Sequence, residues 1–375
     1  MVRCRRTLLH RDAAGDARGR GVRHGARPGS RGRPDRRPSA GAEAAHDGGV
    51  LQSARHPGGA SGVTSTVAVT GGSGFIGGRV IAALKREGHH VVDVGRRPGR
   101  GGADEHVHVD LAAGRARAPR LGDVPLVHCA AEVRDGFDRG MFDRNTRIMD
   151  SALALATGRV VHVSSSSVYD LARPSVHAHP GEATGHYRWF GTYGESKLAN
   201  EGQLVAAGRA SAVILRPHAV YGTGDTTLLP RVLRASRHGV LPLPLGGRAP
   251  HALTWVDNLA AAVLAALRAD VDGTHAVNVT DDDPVPIGDA LRAVVGRPLR
   301  VLHVPMRTAR HVAAVTRGRS GISPYSVRQL GLERTYDVGP TAALLGWVPE
   351  PGTRARLTAL GSVRRVTERL RPGST

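Results

Sequence analysis

Residues 66–88 read TVAVTGGSGFIGGRVIAALKREG, and no other stretch limits the folds open to this chain as tightly. The β-branched run TVAVT (66–70) predicts a short buried strand. FIGGRVIAALKREG carries apolar residues at helical spacing and stops at Gly88, which predicts a helix. Between the two lie Gly71, Gly74 and Gly77, spaced G-x-x-G-x-x-G. A strand that turns this sharply into a helix needs bare backbone at the turn, where a ligand approaches, and where helix packs on strand. The helix start then offers unsatisfied N–H groups and a positive dipole end, a setting suited to a pyrophosphate.

The same rhythm continues downstream. Short strands are predicted at HVVDV (90–94), HVHV (106–109), VPLVHC (124–129), RVVHV (159–163) and SAVIL (211–215), with helices between them, notably at 139–157 and 193–208. Strands alternating with helices of this length imply βαβ units and a parallel sheet covered on both faces. The expected fold is α/β: a Rossmann-type doubly wound parallel sheet with a smaller C-terminal substrate-binding region. Residues 64–240 form the NAD(P)-binding domain in this reading. Gly/Pro-rich LPLPLGGRAP (241–250) interrupts the rhythm, and 241–375 form mainly the substrate-binding region, with some return to the core. LPLPLGG (241–247) is expected to be an apolar pocket wall.

Residues 1–63 differ in texture. They carry 13 Arg against five acidic side chains, so eight of the chain's 20 net positive charges belong to them. An Arg/Gly/His/Pro/Ala stretch without sustained period cannot bury enough apolar surface to offset its entropy, and a disordered or mistranslated upstream extension is expected, with a natural beginning near Val63. The alternatives fit less well. A nucleic-acid arm would interleave aromatics to stack on bases. A twin-arginine signal at Arg5-Arg6 would continue into an apolar stretch instead of HRDAAGDARG. No specific nucleic-acid partner is expected. No apolar run reaches the length of a membrane span. Cys4 and Cys129 form neither a disulfide framework nor a metal-ligand spacing, so no metal is expected and the setting is read as cytoplasmic.

Of 52 Lys and Arg side chains, only Lys85 and Lys197 are lysine. Lys197 lies four residues after Tyr193, on the same helix face. An ammonium beside a phenol favours the phenolate and lets Tyr exchange a proton with a carbonyl or alcohol oxygen near neutral pH. Arginine would supply charge but not a compact ammonium. Upstream, VVHVSSSSVYD (160–170) places four serines at the carboxyl end of a predicted strand, where ligands bind in parallel sheets. Ser165 is the candidate to hold the substrate oxygen, with Ser164 or Ser166 as alternatives. After the second strand, where a carboxylate would select NAD through its ribose hydroxyls, the chain has Gly95, Arg96 and Arg97. Two guanidiniums suit a 2′-phosphate, so NADP is favoured over NAD. Asp93 is an alternative ribose contact if the strand ends differently, and Asp110 is a candidate for the adenine amino group.

TGGSGFIG, VHCAA (127–131), SSSSVY (164–169), YGESK (193–197), LRPHAVYGTGD (215–225) and TWVDNLAAAV (254–263) occur in the order found in extended short-chain dehydrogenases/reductases, the NAD-dependent epimerase/dehydratase family. The resemblance spans about 66–350. It implies that Ser165, Tyr193 and Lys197 are catalytic, that Ala130 and Ala131 line the cofactor, and that Arg216, Pro217 and His218 lie beside the nicotinamide. Together with the glycine loop, the implied cofactor-binding set is Gly71, Gly74, Phe75, Ile76, Gly77, Arg96, Arg97, Asp110, Leu111, Ala130, Ala131, Asn145, Ser164, Tyr193, Lys197 and Pro217. Two departures stand out: Asp170 where the family has Gly, and NTRIM (145–149), which keeps the family's Asn but loses its Gly and Thr. SVRQLGLERTYDVGPTAALLGWVPEPG (326–352) looks most like the 3β-hydroxysteroid dehydrogenase-like branch.

The expected function is hydride transfer between NAD(P) and a small-molecule ketone or secondary alcohol, on a hydrophobic or steroid-like substrate. A sugar-nucleotide epimerase or dehydratase is the alternative, with Arg231, Arg234 and Arg248 as phosphate contacts. A non-catalytic NAD(P) sensor or RNA-binding protein is the second alternative. The resemblance also implies a homodimer that pairs through 139–157 and 193–208.

Overall fold

The computed structural model describes residues 65–115, 119–134, 138–183, 192–225, 228–236, 238–296, 298–316 and 323–369. All belong to the unit Val50–Thr375. The expectations for residues 1–63 lie outside the described residues.

The strands in chain order are β1 (Thr66–Thr70), β2 (His90–Gly95), β3 (Glu105–His108), β4 (Leu126–His128), β5 (Val160–Val163), β6 (Ser175–Ala178), β7 (Ser211–Pro217), β8 (Val220–Tyr221), β9 (Val240–Pro244), β10 (Pro250–His251), β11 (Thr254–Trp255), β12 (Gly273–Val279), β13 (Val285–Pro286), β14 (Arg300–Val304) and β15 (Arg334–Tyr336). The helices are α1 (Phe75–Arg86), α2 (Arg139–Leu155), α3 (Tyr193–Ala206), α4 (Leu228–Ala235), α5 (Val256–Arg268), α6 (Ile287–Val295), α7 (Met306–Val315), α8 (Pro324–Gly331), α9 (Gly339–Leu345) and α10 (Thr353–Arg369).

Seven strands form one parallel sheet in the order β12-β7-β5-β4-β1-β2-β3. Val67 and Val69 of β1 face α1 and α5, packing with Ile81, Leu84, Leu259 and Val263. Ala68, on the opposite face, packs with Leu126, Ala152 and Leu155 on the side of α2. Both faces are therefore dry, which is why these strands read as continuous apolar runs without polar alternation. Each fully buried Val or Leu contributes about 1.5–3 kcal/mol of transfer free energy. The chain builds outward from β1 through β2 to β3, then returns to β4 on the other side. The carboxyl ends of β1 and β4 thus part at the topological switch point, where ligands bind in open α/β sheets.

A second core holds Tyr221, Leu241, Leu243, Leu253, Ile287, Leu291 and Val294. Of the expected pocket wall 241–247, Leu241 and Leu243 are side chains of this core, while Gly246 and Gly247 line a cavity beside Arg248. A four-stranded sheet, β13-β10-β15-β6, reaches this core through Val285, while Ala178 and Tyr336 of its far strands pack in a smaller core with Val168, Tyr169 and Ala252. Gly273–Val279, read from sequence as part of the second region, is instead the edge strand of the central sheet. Its pairing partner, β7, lies about 60 residues upstream, a register that local periodicity does not reveal.

Candidate active site

The glycine loop has the tightness its spacing implies. Gly71 has φ +79°, and a Cβ on it would lie 2.8 Å from Ala130 N. A Cβ on Gly77 would lie 2.2 Å from Gly71 O. Gly74 donates its N–H to Gly71 O at 2.9 Å and caps α1 with no side chain, and the first turn holds no acidic residue. The helix start formed by Phe75, Ile76 and Gly77 is therefore uncapped, and a phosphate oxygen fits the unmet need of its amides.

At the end of β2, Gly95 is half-buried, and Arg96 and Arg97 are exposed. Asp93 does not take the ribose position. It is buried, with Oδ2 accepting from Gly99 N at 2.6 Å and lying 2.9 Å from His106 Nδ1. It sits directly behind the loop, where a Cβ on Gly72 would come within 2.2 Å of Asp93 Oδ1. Asp110 is exposed and its Oδ1 accepts from Ala112 N at 3.1 Å, while the Leu111 side chain is buried in the core. Ala130 lies under Gly71, and Ala131 is half-buried beside it. Asn145 is committed to the scaffold. It donates to Glu132 O and Ser196 Oγ, each at 3.0 Å, and accepts from Glu132 N at 2.8 Å. It thereby ties the loop after β4 to α3, one residue before Lys197.

The structure separates the three serine alternatives. Ser164 is buried and donates to Glu201 Oε1 at 2.5 Å. Ser166 is buried with its Oγ 2.8 Å from His218 Nδ1. Ser165 alone of the three is half-buried. It accepts from Ser167 N at 3.1 Å and donates to Ser167 Oγ at 3.0 Å. Glu201 also accepts from Arg216 at 3.0 and 2.7 Å, so the Arg216 guanidinium points into a buried ion pair, and Pro217 ends β7 beside it.

Thr192 caps α3, its Oγ1 accepting from Glu195 N at 3.3 Å, so the helix begins at Tyr193. Lys197 follows one turn later, only 2% exposed. Its Nζ donates to Val163 O at 2.7 Å, two residues before Ser165, and lies 6.0 Å from the Tyr193 ring centre. Burial pulls the Lys197 ammonium down to about 8. One structural unit thus holds Ser165, Tyr193 and Lys197: the end of β5 against the first turns of α3.

Sequence reasoning did not single out His128, His162 or His251, and it reached His218 only through the family resemblance. His128 and His162 are wholly buried and stacked at 5.2 Å, with Thr70 Oγ1 2.7 Å from His128 Nδ1. Burial first, then the Lys197 charge, pushes both imidazoles down, His128 to about 3. His218 and His251 form a second buried pair, Nε2 to Nδ1 at 3.1 Å, pushed down chiefly by burial. Their strand-end positions were a signal, since a histidine among β-branched residues must be buried neutral or pay for its charge. The Arg231 and Arg234 side chains lie outside the described residues. Arg248 lines a cavity of about 350 Å³ with Asp289, Arg292 and His303.

Residues 67–280 match the model of the NAD dependent epimerase/dehydratase family. The chain belongs to this family. It is an NAD(P)-dependent enzyme of the extended short-chain dehydrogenase/reductase type, an oxidoreductase scaffold with the glycine loop, serine strand end and Tyr-x-x-x-Lys helix described above. A 2-alkyl-3-oxoalkanoate reductase of Stenotrophomonas maltophilia (strain K279a) is 26% identical over 319 residues, 76% of this chain and 94% of the relative. A ceramide reductase of Caulobacter vibrioides (strain NA1000 / CB15N) is 28% identical over 252 residues, 64% of this chain and 73% of the relative. Among solved structures, MoeE5 in complex with UDP-glucuronic acid and NAD is similar with a TM-score of 0.60 and 22% identity, covering 80% of this chain and 99% of that one. That likeness shows the shared fold. Among the described residues, no helix is long and apolar enough to cross a membrane.

Proposed function

We propose that this enzyme interconverts a ketone and a secondary alcohol on a hydrophobic substrate, with Tyr193 as proton donor and acceptor, Lys197 as its electrostatic partner and Ser165 as the holder of the substrate oxygen. The observation that carries the reading is Lys197, buried at the first turns of α3 and fastened to Val163 O on the strand that presents Ser165. A bound nicotinamide cofactor supplies or accepts the hydride. The chain's residues do the rest. The Ser165 hydroxyl turns toward the carbonyl oxygen and fixes its orientation. The Tyr193 phenol gives its proton to that oxygen as it becomes an alkoxide, and the reverse direction returns the proton to Tyr193. The Lys197 ammonium favours the transient phenolate.

Three features support a hydrophobic, uncharged substrate. The His218–His251 pair beside Pro217 is buried and neutral, so it offers no charge to a diphosphate. An apolar cavity of about 170 Å³, lined by Tyr221, Val232, Leu253, Ile287, Leu291 and Leu357, adjoins the Gly222–Asp225 loop. Two relatives bear names that specify reduction of an oxoalkanoate and of a ceramide. A sugar-nucleotide reading draws on the polar cavity with Arg248, Arg292 and His303. Turnover with NADPH or NADH across 3-oxoalkanoates, steroid ketones and sugar nucleotides separates the two, and Tyr193→Phe is expected to lose about 10²- to 10⁴-fold in kcat. Equal turnover by both proteins would sink the assignment.

NADP is the favoured cofactor, because Gly95 leaves room and Arg96 and Arg97 are exposed beside it while Asp93 is turned inward. Replacing both arginines by alanine is expected to raise KM for NADPH about tenfold or more, and to leave KM for NADH within about twofold. Equal effects on both cofactors would refute the preference. A cytoplasmic setting, consistent with the two-cysteine chain, belongs to the same reading.

A further inference from the structure

We infer that Tyr325, in α8 of the second lobe, is a positioning residue for this reaction and acts through Ser167 on Ser165; the inference rests on the assignment of Ser165 above. The Ser165 Oγ donates to Ser167 Oγ at 3.0 Å, and Ser167 Oγ is 3.0 Å from the Tyr325 hydroxyl. Three hydroxyls therefore run in series from the second lobe to the serine that meets the substrate.

Each hydroxyl has one proton and two acceptor sites, so the direction of such a chain is set at its ends. When Ser165 turns its proton toward a carbonyl oxygen, its Oγ is left as an acceptor. Ser167 then donates to Ser165, and Tyr325 donates to Ser167. A phenol is a stronger donor than an aliphatic hydroxyl, which suits Tyr325 to donate to Ser167. Each bond polarises the next, which strengthens the final one to the substrate. The hydroxyls only reorient; no bond other than hydrogen bonds is made or broken.

The architecture of α8 supports the role. Ser323 caps its start, with Oγ accepting from Ser326 N at 3.0 Å, and Pro324 opens the first turn. Tyr325 is thus held in a defined direction within the first turn. At the other end, Gly331 abuts Met306 and Pro244 so closely that a Cβ would lie 2.3 Å from Met306 Cε. Gln329, four residues after Tyr325 and on the same helix face, reaches His218 Nδ1 at 3.5 Å, and His218 holds Ser166. One face of α8 therefore touches the serine loop at two points, through Ser167 and through the partner of Ser166.

The test compares Tyr325→Phe, Ser167→Ala, Ser165→Ala and the pairwise doubles, in full-length protein with NADPH and whichever ketone of the panel above turns over fastest. Tyr325→Phe keeps the ring and removes the hydroxyl. It is expected to lower kcat about threefold to tenfold, with KM and Tm unchanged. Added to Ser165→Ala or to Ser167→Ala, it is expected to do nothing further, because the row is already broken. A Tyr325→Phe loss that persists undiminished in the Ser165→Ala background, or that shows only in Tm and KM, overturns the inference. Wild-type activity in Ser165→Ala itself would instead remove the assignment of that serine, and a chain that reduces no ketone of the panel would remove both.

Discussion

Lys197 is the side chain at which a cost to the fold and the proposed chemistry meet. Its ammonium is withdrawn from water, and burial lowers its proton affinity from the ordinary lysine value to about 8. The folded protein therefore binds this proton less tightly than the unfolded chain. Burial costs stability below about pH 8, and the cost fades as pH rises toward the unfolded value near 10.5. Lys197→Met is thus expected to reduce kcat/KM about 10²-fold or more while Tm at pH 7 falls no lower than that of the wild type. Parallel loss of activity and Tm would mean that the lysine serves the fold. The same shift sets a pH dependence. Ketone reduction is expected to decline as pH climbs through about 8, because the ammonium deprotonates there and no longer favours the phenolate. A kcat profile flat from pH 7 to about 9.5 would contradict this.

Among the elements, the turn from β1 into α1 is where packing and binding can be told apart. A Cβ at Gly77 would strike backbone, 2.2 Å from Gly71 O, whereas a Cβ at Gly74 has only Gly71 O at 3.2 Å. Gly77→Ala is expected to destabilise the fold by about 1–3 kcal/mol through overpacking. Gly74→Ala, whose backbone is extended, is expected to cost less than about 1 kcal/mol in thermal melts. Gly74→Ala is also expected to lose the Tm increase that NADPH gives the wild type, since its methyl stands at the open helix start where the cofactor's phosphates approach, whereas the Gly77→Ala methyl meets loop backbone and its cost shows in the unliganded Tm. If Gly74→Ala keeps the full increase, the pyrophosphate does not sit on this turn. In α3, Thr192 starts the helix, Tyr193 and Lys197 stand in its first turns, and Asn145 and Glu201 moor it to α2 and β7.

At the scale of the whole molecule, every site residue named above lies between Thr70 and Leu357, within one unit. Removal of residues 1–64 is therefore expected to leave kcat/KM within about twofold and Tm unchanged; loss of activity would show that the tail belongs to the enzyme. Pairing of copies through α2 and α3, which the family resemblance implies, predicts twice the chain mass in light scattering, and a monomer at all concentrations would reject it.

The sequence alone determined what depends on neighbours within about ten residues. The strand–glycine–helix unit follows from β-branching, glycine spacing and helical periodicity. The Tyr193–Lys197 pair follows from the pitch of a helix, and the parallel sheet from the alternation of such elements. Tertiary structure decided what depends on residues far apart in the chain. Ser164, Ser165 and Ser166 are chemically identical, and it is burial against Glu201 and His218 that sets the first and third apart and leaves Ser165 half-buried, the basis of its proposed role. Asp93 is turned inward because Gly99 and His106 hold its carboxylate. The stacked His128–His162 pair exists because β4 and β5 lie side by side, and Tyr325 meets Ser167 across 158 residues. Local patterns encode dihedral preference and amphipathic period. Which strand lies beside which, and hence which polar groups are desolvated together, is settled only when the whole sheet closes its core.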